Sequence, residues 1–214
     1  MNKPKIKICG ITNLDDLSWV VEHRADFAGF NFYPHSPRYV TPDFVSDMLA
    51  YKTCDILKVG VFVNNSVEAI LEAVEQCSLD IIQLHGDETA EIAEELGVER
   101  VWKSFNLLDE QDLAAAIEYP ANAIVVDTRS GSQRGGTGKV GNWNLAAKLA
   151  RKRRLVLAGG LREDNIGEAI RRVQPEVVDV CSGVEKHPGA KDPDKLARFV
   201  KAVRQLETTD NDTQ

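Results

Sequence analysis

Short apolar runs rich in β-forming residues alternate along this chain with stretches whose apolar residues recur at helical spacing. The runs predict strands over 5–9, 27–33, 57–63, 79–85, 99–105, 123–128, 154–158 and 177–181. Helical periodicity predicts helices over 14–24, 42–52, 66–77, 89–97, 109–118, 143–152, 163–173 and 192–206. Capping residues stand at the expected starts: Thr41 before Pro42, Ser66, Asp109, Asn142, and Asp192 before Pro193. Thr12 or Asn13 suits the start of the first helix.

A unit of strand, loop, helix and loop therefore repeats every roughly 20–30 residues. Eight such units predict an α/β fold, a single (β/α)8 barrel whose parallel eight-stranded sheet closes on itself. The rival is an open doubly wound sheet, which normally has fewer strands and a phosphate loop after its first. Here the glycine-rich turns come late, after the seventh and eighth strands. No linker divides the 214 residues, so 1–206 reads as one domain, and 207–214 reads as a disordered tail.

Charge and cysteine usage narrow the function. The formal charge of −7 argues against nucleic-acid binding, which wants a basic stripe. No apolar run is long enough to cross a membrane and no signal-peptide pattern follows Met1, so the expected location is cytoplasmic. Cys9, Cys54, Cys77 and Cys181 lack CxxC spacing and partnering histidines, which argues against a zinc site; no metal is expected.

Candidate chemistry gathers at strand ends. In Lys5–Cys9, alternation puts Lys7 and Cys9 on one face and Ile6 and Ile8 on the other, and Gly10 breaks the strand after the thiol. Such a thiol is either a small buried hydrophobe or a reactive group at a barrel mouth. Val125 and Asp127 share a face of the sixth strand, so Asp127 is either a mouth carboxyl or a loop brace. Arg38 stands in a loop stiffened by prolines around His35 and Ser36, which suits bidentate capture of a carboxylate. Gln83 and His85 face the same way as Ile81; His85 is a neutral-range titrating group or a packing residue. Gly159–Gly160 and Ser182–Gly183 follow the seventh and eighth strands, where bare backbone amides in barrel enzymes cradle phosphate. The loop 129–139 is glycine-rich and reads as a lid or as an ordinary exposed loop. Lys7 and Asp179 both fall on inward faces of strands that adjoin in a closed barrel, so they are expected to pair.

These segments together resemble the phosphoribosylanthranilate isomerase family of tryptophan biosynthesis. The matching runs are KICGIT, GFNFYPHSPRYV, VGVFVN, QLHGDE, VVDT with GGTGK, LAGGL, and DVCSGVE followed by HPGAKD, in order over nearly the whole chain. The resemblance implies a TIM barrel and no cofactor. It also implies an Amadori rearrangement of N-(5-phosphoribosyl)anthranilate to 1-(2-carboxyphenylamino)-1-deoxyribulose 5-phosphate. On that pattern Cys9 is the general base, Asp127 the general acid, Arg38 the contact to the anthranilate carboxylate, and the two glycine turns the phosphate cradle. The expected partner is this small anionic substrate, in a monomer or a homodimer.

Two departures from the family pattern are visible. Asn142 precedes Trp143 where aspartate is common, and Cys181 stands where serine is common. Rival classes are an indole-glycerol-phosphate synthase-like lyase, for which Lys103 is the candidate lysine, and the histidine-pathway isomerase, which uses two aspartates. A barrel that only binds a sugar phosphate is the non-catalytic alternative.

Overall fold

The computed structural model describes residues 3–51, 55–127 and 142–206. The predicted loop over 129–139 and the tail from 207 onward lie outside the described residues. Eight parallel strands close into a barrel in sequence order: β1 (Lys5–Cys9), β2 (Phe27–Asn31), β3 (Leu57–Phe62), β4 (Ile81–Leu84), β5 (Val101–Phe105), β6 (Ala123–Asp127), β7 (Leu155–Ala158) and β8 (Val177–Val180). Closure is made by β1 against β8, with Lys7 beside Asp179 and Ile8 beside Val180. The open-sheet alternative is thereby excluded.

Among the described residues, eight helices clad the barrel: α1 (Leu14–Glu22), α2 (Pro42–Tyr51), α3 (Val67–Cys77), α4 (Ala90–Leu96), α5 (Glu110–Glu118), α6 (Trp143–Ala150), α7 (Ile166–Val173) and α8 (Pro193–Gln205). Their starts follow from local chemistry. Asn13 Oδ1 accepts from the Asp16 amide, Ser66 Oγ from that of Ala69, and Asn142 Oδ1 from that of Leu145. Asp109 and Asp112 make a reciprocal capping box, and Asp192 takes the amides of Asp194 and Lys195 ahead of Pro193. Asn142 thus caps α6 as an aspartate would.

Period-two alternation sorts the strand residues into two cores. Ile6, Ile8, Ile124, Val126 and Leu157 face outward and pack under the helices. Phe27, Val59, Trp102, Val125, Val156 and Val177 fill the lumen, where Phe27 meets Trp102 edge to face at 5.1 Å. The lumen also holds the fully buried Lys7, whose Nζ lies 2.8 Å from Asp179 Oδ2. The expected pair is formed.

Several strands are shorter than their apolar runs. β2 stops at Asn31 because the Asn31 side chain accepts from the Tyr33 amide and donates to Ser36 Oγ, turning the chain. β5 starts at Val101 because Val98–Arg100 forms a 3-10 turn. α7 starts at Ile166, three residues later than predicted, since Asn165 spends its side chain on Gly160 O and the Arg162 amide. One element was not anticipated. After β8 the chain forms a small antiparallel hairpin, β9 (Glu185–His187) and β10 (Ala190–Lys191), turning at Pro188–Gly189.

Candidate active site

At the carboxyl ends of the strands lies a cavity of about 510 Å³, lined by residues of the strand ends and the loops that follow them. Cys9 and Asp127 both line it, as do Arg38, Gln83, His85, Gly159, Gly160 and Ser182. Gly183 does not line it. A side chain there would strike Leu161 O at 2.0 Å, so this glycine lets the β8 turn close against the β7 turn. Gly159 and Gly160 both have positive φ, at 84° and 67°, a backbone that favours glycine.

Cys9 ends β1 beside Gly29 of β2, where an added Cβ would lie 2.9 Å from the sulfur. The glycine makes room for the thiol. The Cys9 pKa is lowered to about 6. A hydrogen bond from the Cys181 thiol is the largest cause, opposed by burial, then aided by the Lys7 ammonium and partly offset by Asp179. Lys191 adds a smaller favourable effect. Burial alone would push Lys7 down, but Asp179 and then Cys9 hold it above its ordinary value. Cys181 stays a thiol, its pKa raised by its bond to Cys9 and by burial.

The guanidinium of Arg38 is fixed twice. Its own amide donates to Ser36 Oγ at 3.1 Å within the proline-stiffened loop. Its Nε and Nη2 donate to Glu185 at 2.8 and 2.6 Å. The bidentate carboxylate partner expected of this arginine is therefore occupied by the protein's own Glu185, leaving Nη1 out of the pair. Glu185 also takes Lys191 Nζ at 3.0 Å, and these cations hold its carboxyl at about 2 against burial, which alone would raise it. Lys191 in turn donates to Cys9 O. The β9–β10 hairpin thus ties Arg38 to the strand that carries Cys9.

On the opposite wall, Gln83 Nε2 lies 3.0 Å from His85 Nδ1, and His85 Nε2 lies 3.9 Å from Asp127 Oδ2. Burial lowers the His85 pKa, with Asp127 opposing in part, so the ring is neutral at neutral pH. Two buried oxygens lining the floor, Gln83 Oε1 and Asp179 Oδ1, have no hydrogen-bond partner among the described residues.

Comparison with known proteins fits this geometry. A family model described as N-(5′-phosphoribosyl)anthranilate (PRA) isomerase matches residues 6–202. The chain belongs to the phosphoribosylanthranilate isomerase family. An N-(5′-phosphoribosyl)anthranilate isomerase of Pelobacter propionicus is 44% identical over 202 residues, covering 94% of this chain and 96% of the relative. The phosphoribosyl anthranilate isomerase structure from Thermotoga maritima superposes with a TM-score of 0.87 at 40% identity, covering 94% of this chain and 99% of that one. A phosphoribosyl anthranilate isomerase solved with reduced 1-(o-carboxyphenylamino)-1-deoxyribulose 5-phosphate gives 0.83 at 38% identity, over 94% and 99% of the two chains.

Within this isomerase family frame, Lys103 is not a mouth residue. It alternates with the lumen residue Trp102 and donates to Gly86 O, Ser104 O and Glu88 Oε2 instead. Glu88 accepts the amides of Asn64 and Gly86, bracing the loop that presents His85. Sequence reasoning missed Glu185, Lys191, Glu88 and Asn165 as supporting residues. Pro188–Gly189 is a local turn signal that marks the hairpin bringing the first two in.

Proposed function

We propose that this cavity isomerises N-(5′-phosphoribosyl)anthranilate, with Cys9 as general base and Asp127 as general acid. The observation that carries the reading is that one cavity in a phosphoribosylanthranilate isomerase chain holds a thiol with a pKa near 6 and a carboxyl from a non-adjacent strand. Asp127 gives a proton to the ribose ring oxygen, the C1′–O bond breaks, and the nitrogen lone pair forms an iminium. The iminium acidifies the C2′ hydrogen, which the Cys9 thiolate removes. The resulting enolamine tautomerises to the ketone. Nothing in this sequence consumes an oxidant or a cofactor.

The remaining residues bind and orient. The turns at Gly159–Gly160 and Ser182–Gly183 offer backbone amides to the phosphate. Arg38, preset by Glu185, meets the anthranilate carboxylate through Nη1. The two unpartnered oxygens of Gln83 and Asp179 accept from sugar hydroxyls, and neutral His85 lies beside the acid. The tethered position of Lys103 speaks against the lyase alternative. Rescue of a tryptophan auxotroph lacking this isomerase tests the reading, with Cys9→Ser as the control. Equal rescue by both chains would remove Cys9 from the mechanism, and rescue by neither would remove the function.

A further inference from the structure

The cavity holds a second sulfur that the rearrangement does not use as acid or base. β1 and β8 are paired in register through Ile8 and Val180, and the next residue on each is a cysteine, Cys9 and Cys181. Neighbouring strands run about 4.8 Å apart, inside the span that a disulfide bridges without backbone movement. Alternation sends both side chains inward, and both line the same cavity. Both are partly open, whereas Cys77 is buried. Lys191 Nζ stands 3.9 Å from the Cys181 sulfur and Glu185 Oε1 stands 3.6 Å from it.

We propose that Cys9 and Cys181 are an oxidisable thiol pair, converted by hydrogen peroxide to a reversible disulfide across the mouth of the barrel. Its consequence for activity rests on the isomerase reading; its chemistry does not. The Cys9 thiolate attacks one peroxide oxygen, the O–O bond breaks, and hydroxide leaves to be protonated to water. Cys9 is then a sulfenic acid. The Cys181 sulfur attacks that sulfur, the S–S bond forms, the S–O bond breaks, and the Cys181 proton leaves with the oxygen as a second water. Two thiols lose two electrons, and one peroxide is reduced to two waters. The order of attack follows from the environments: the Cys9 thiol ionises readily, whereas Cys181 keeps its proton until a sulfenic acid is in reach. Cys181 in this role protects Cys9 from irreversible oxidation to the sulfinic acid.

The test uses the full chain, hydrogen peroxide and tryptic mass mapping. Cleavage after Lys7, Arg24, Arg172 and Lys186 puts the two cysteines on separate peptides, 8–24 and 173–186. In wild type these peptides appear crosslinked, about 2 Da lighter than the two thiol peptides together. Isomerase activity falls in step and returns with dithiothreitol. In Cys181→Ser, peptide 8–24 gains about 32 Da, the two oxygens of a sulfinic acid, and dithiothreitol does not restore activity. The proposal is overturned if wild type shows the heavier 8–24 peptide in place of the crosslink. It is equally overturned if Cys181→Ser recovers as fully as wild type. The crosslink is read by mass alone, so a protein that forms it but fails the isomerase assay would overturn the function and leave the thiol pair standing.

Discussion

Lys7 Nζ donates to Asp179 Oδ2 at 2.8 Å in the barrel lumen, two residues before Cys9 and Cys181 on the paired first and eighth strands. Both side chains are buried, so each charge depends on the other for its solvation. Asp179→Asn leaves the ammonium stranded and is expected to destabilise the fold by about 3–5 kcal/mol in urea melts. The double variant Lys7→Met, Asp179→Leu removes both charges and should recover most of that loss. A double variant no more stable than Asp179→Asn would show that packing, not the stranded charge, sets the cost.

Asp179 also raises the Cys9 pKa, while Lys7 and Lys191 lower it. Alkylation of Cys9 by iodoacetamide should therefore follow a pH midpoint near 6 in wild type. Cys181→Ala removes the largest favourable contact and moves the midpoint up. Cys181→Ser keeps a donor and moves it less. A pKa lower in the folded state also adds stability that is full above about pH 9 and lost as pH falls through about 6. An alkylation midpoint in Cys181→Ala equal to that of wild type would remove the thiol–thiol contact as the cause.

Kinetic roles divide along the same lines. Cys9→Ala and Asp127→Asn should each lose roughly 10²–10⁴ in kcat with little change in KM, since proton transfer belongs to the transition state. Arg38→Ala should chiefly raise KM, because a carboxylate contact holds substrate and transition state alike. Lys103→Met should leave kcat near wild type while lowering stability, because Glu88 is left buried without its cation. A large kcat loss in Lys103→Met would reopen lysine-based chemistry.

The fold was legible because local signals agreed with one another. Alternation in β1 and β6 set Cys9 and Asp127 on inward faces, and the eight strands and helices followed from apolar period and capping residues. The inward Lys7 and Asp179 could be paired from topology alone. What could not be read were pairings with no local trace. Glu185 grips Arg38 from 147 residues away, and Lys191 reaches Cys9 O across 182. Arg38 read as an open carboxylate clamp because nothing near it in the chain reveals the carboxylate already bound. Gly183 also meets a demand with no local trace, because a glycine after β8 looks the same whether or not it must make room for the carbonyl of Leu161.

Glu185 offers the sharpest separation of positioning from chemistry. It touches Arg38, Lys191 and the Cys181 thiol, and it binds the Gly189 amide that turns the hairpin. Its pKa is held at about 2 in the fold against an ordinary 4.5. The group is depressed, so its ion pairs contribute fully above about pH 4.5 and are lost as pH falls toward 2. Glu185→Gln keeps the shape but removes the charge, leaving Arg38 and Lys191 without their shared anion. KM should rise, because Arg38 is no longer held in one geometry, while the Cys9 alkylation midpoint falls slightly as negative charge leaves the neighbourhood. The stability lost on acidification between pH 4.5 and 2 should shrink relative to wild type. A variant with normal KM and an unchanged acid limb would mean that the proline-stiffened loop alone fixes Arg38, and that Glu185 serves only the hairpin.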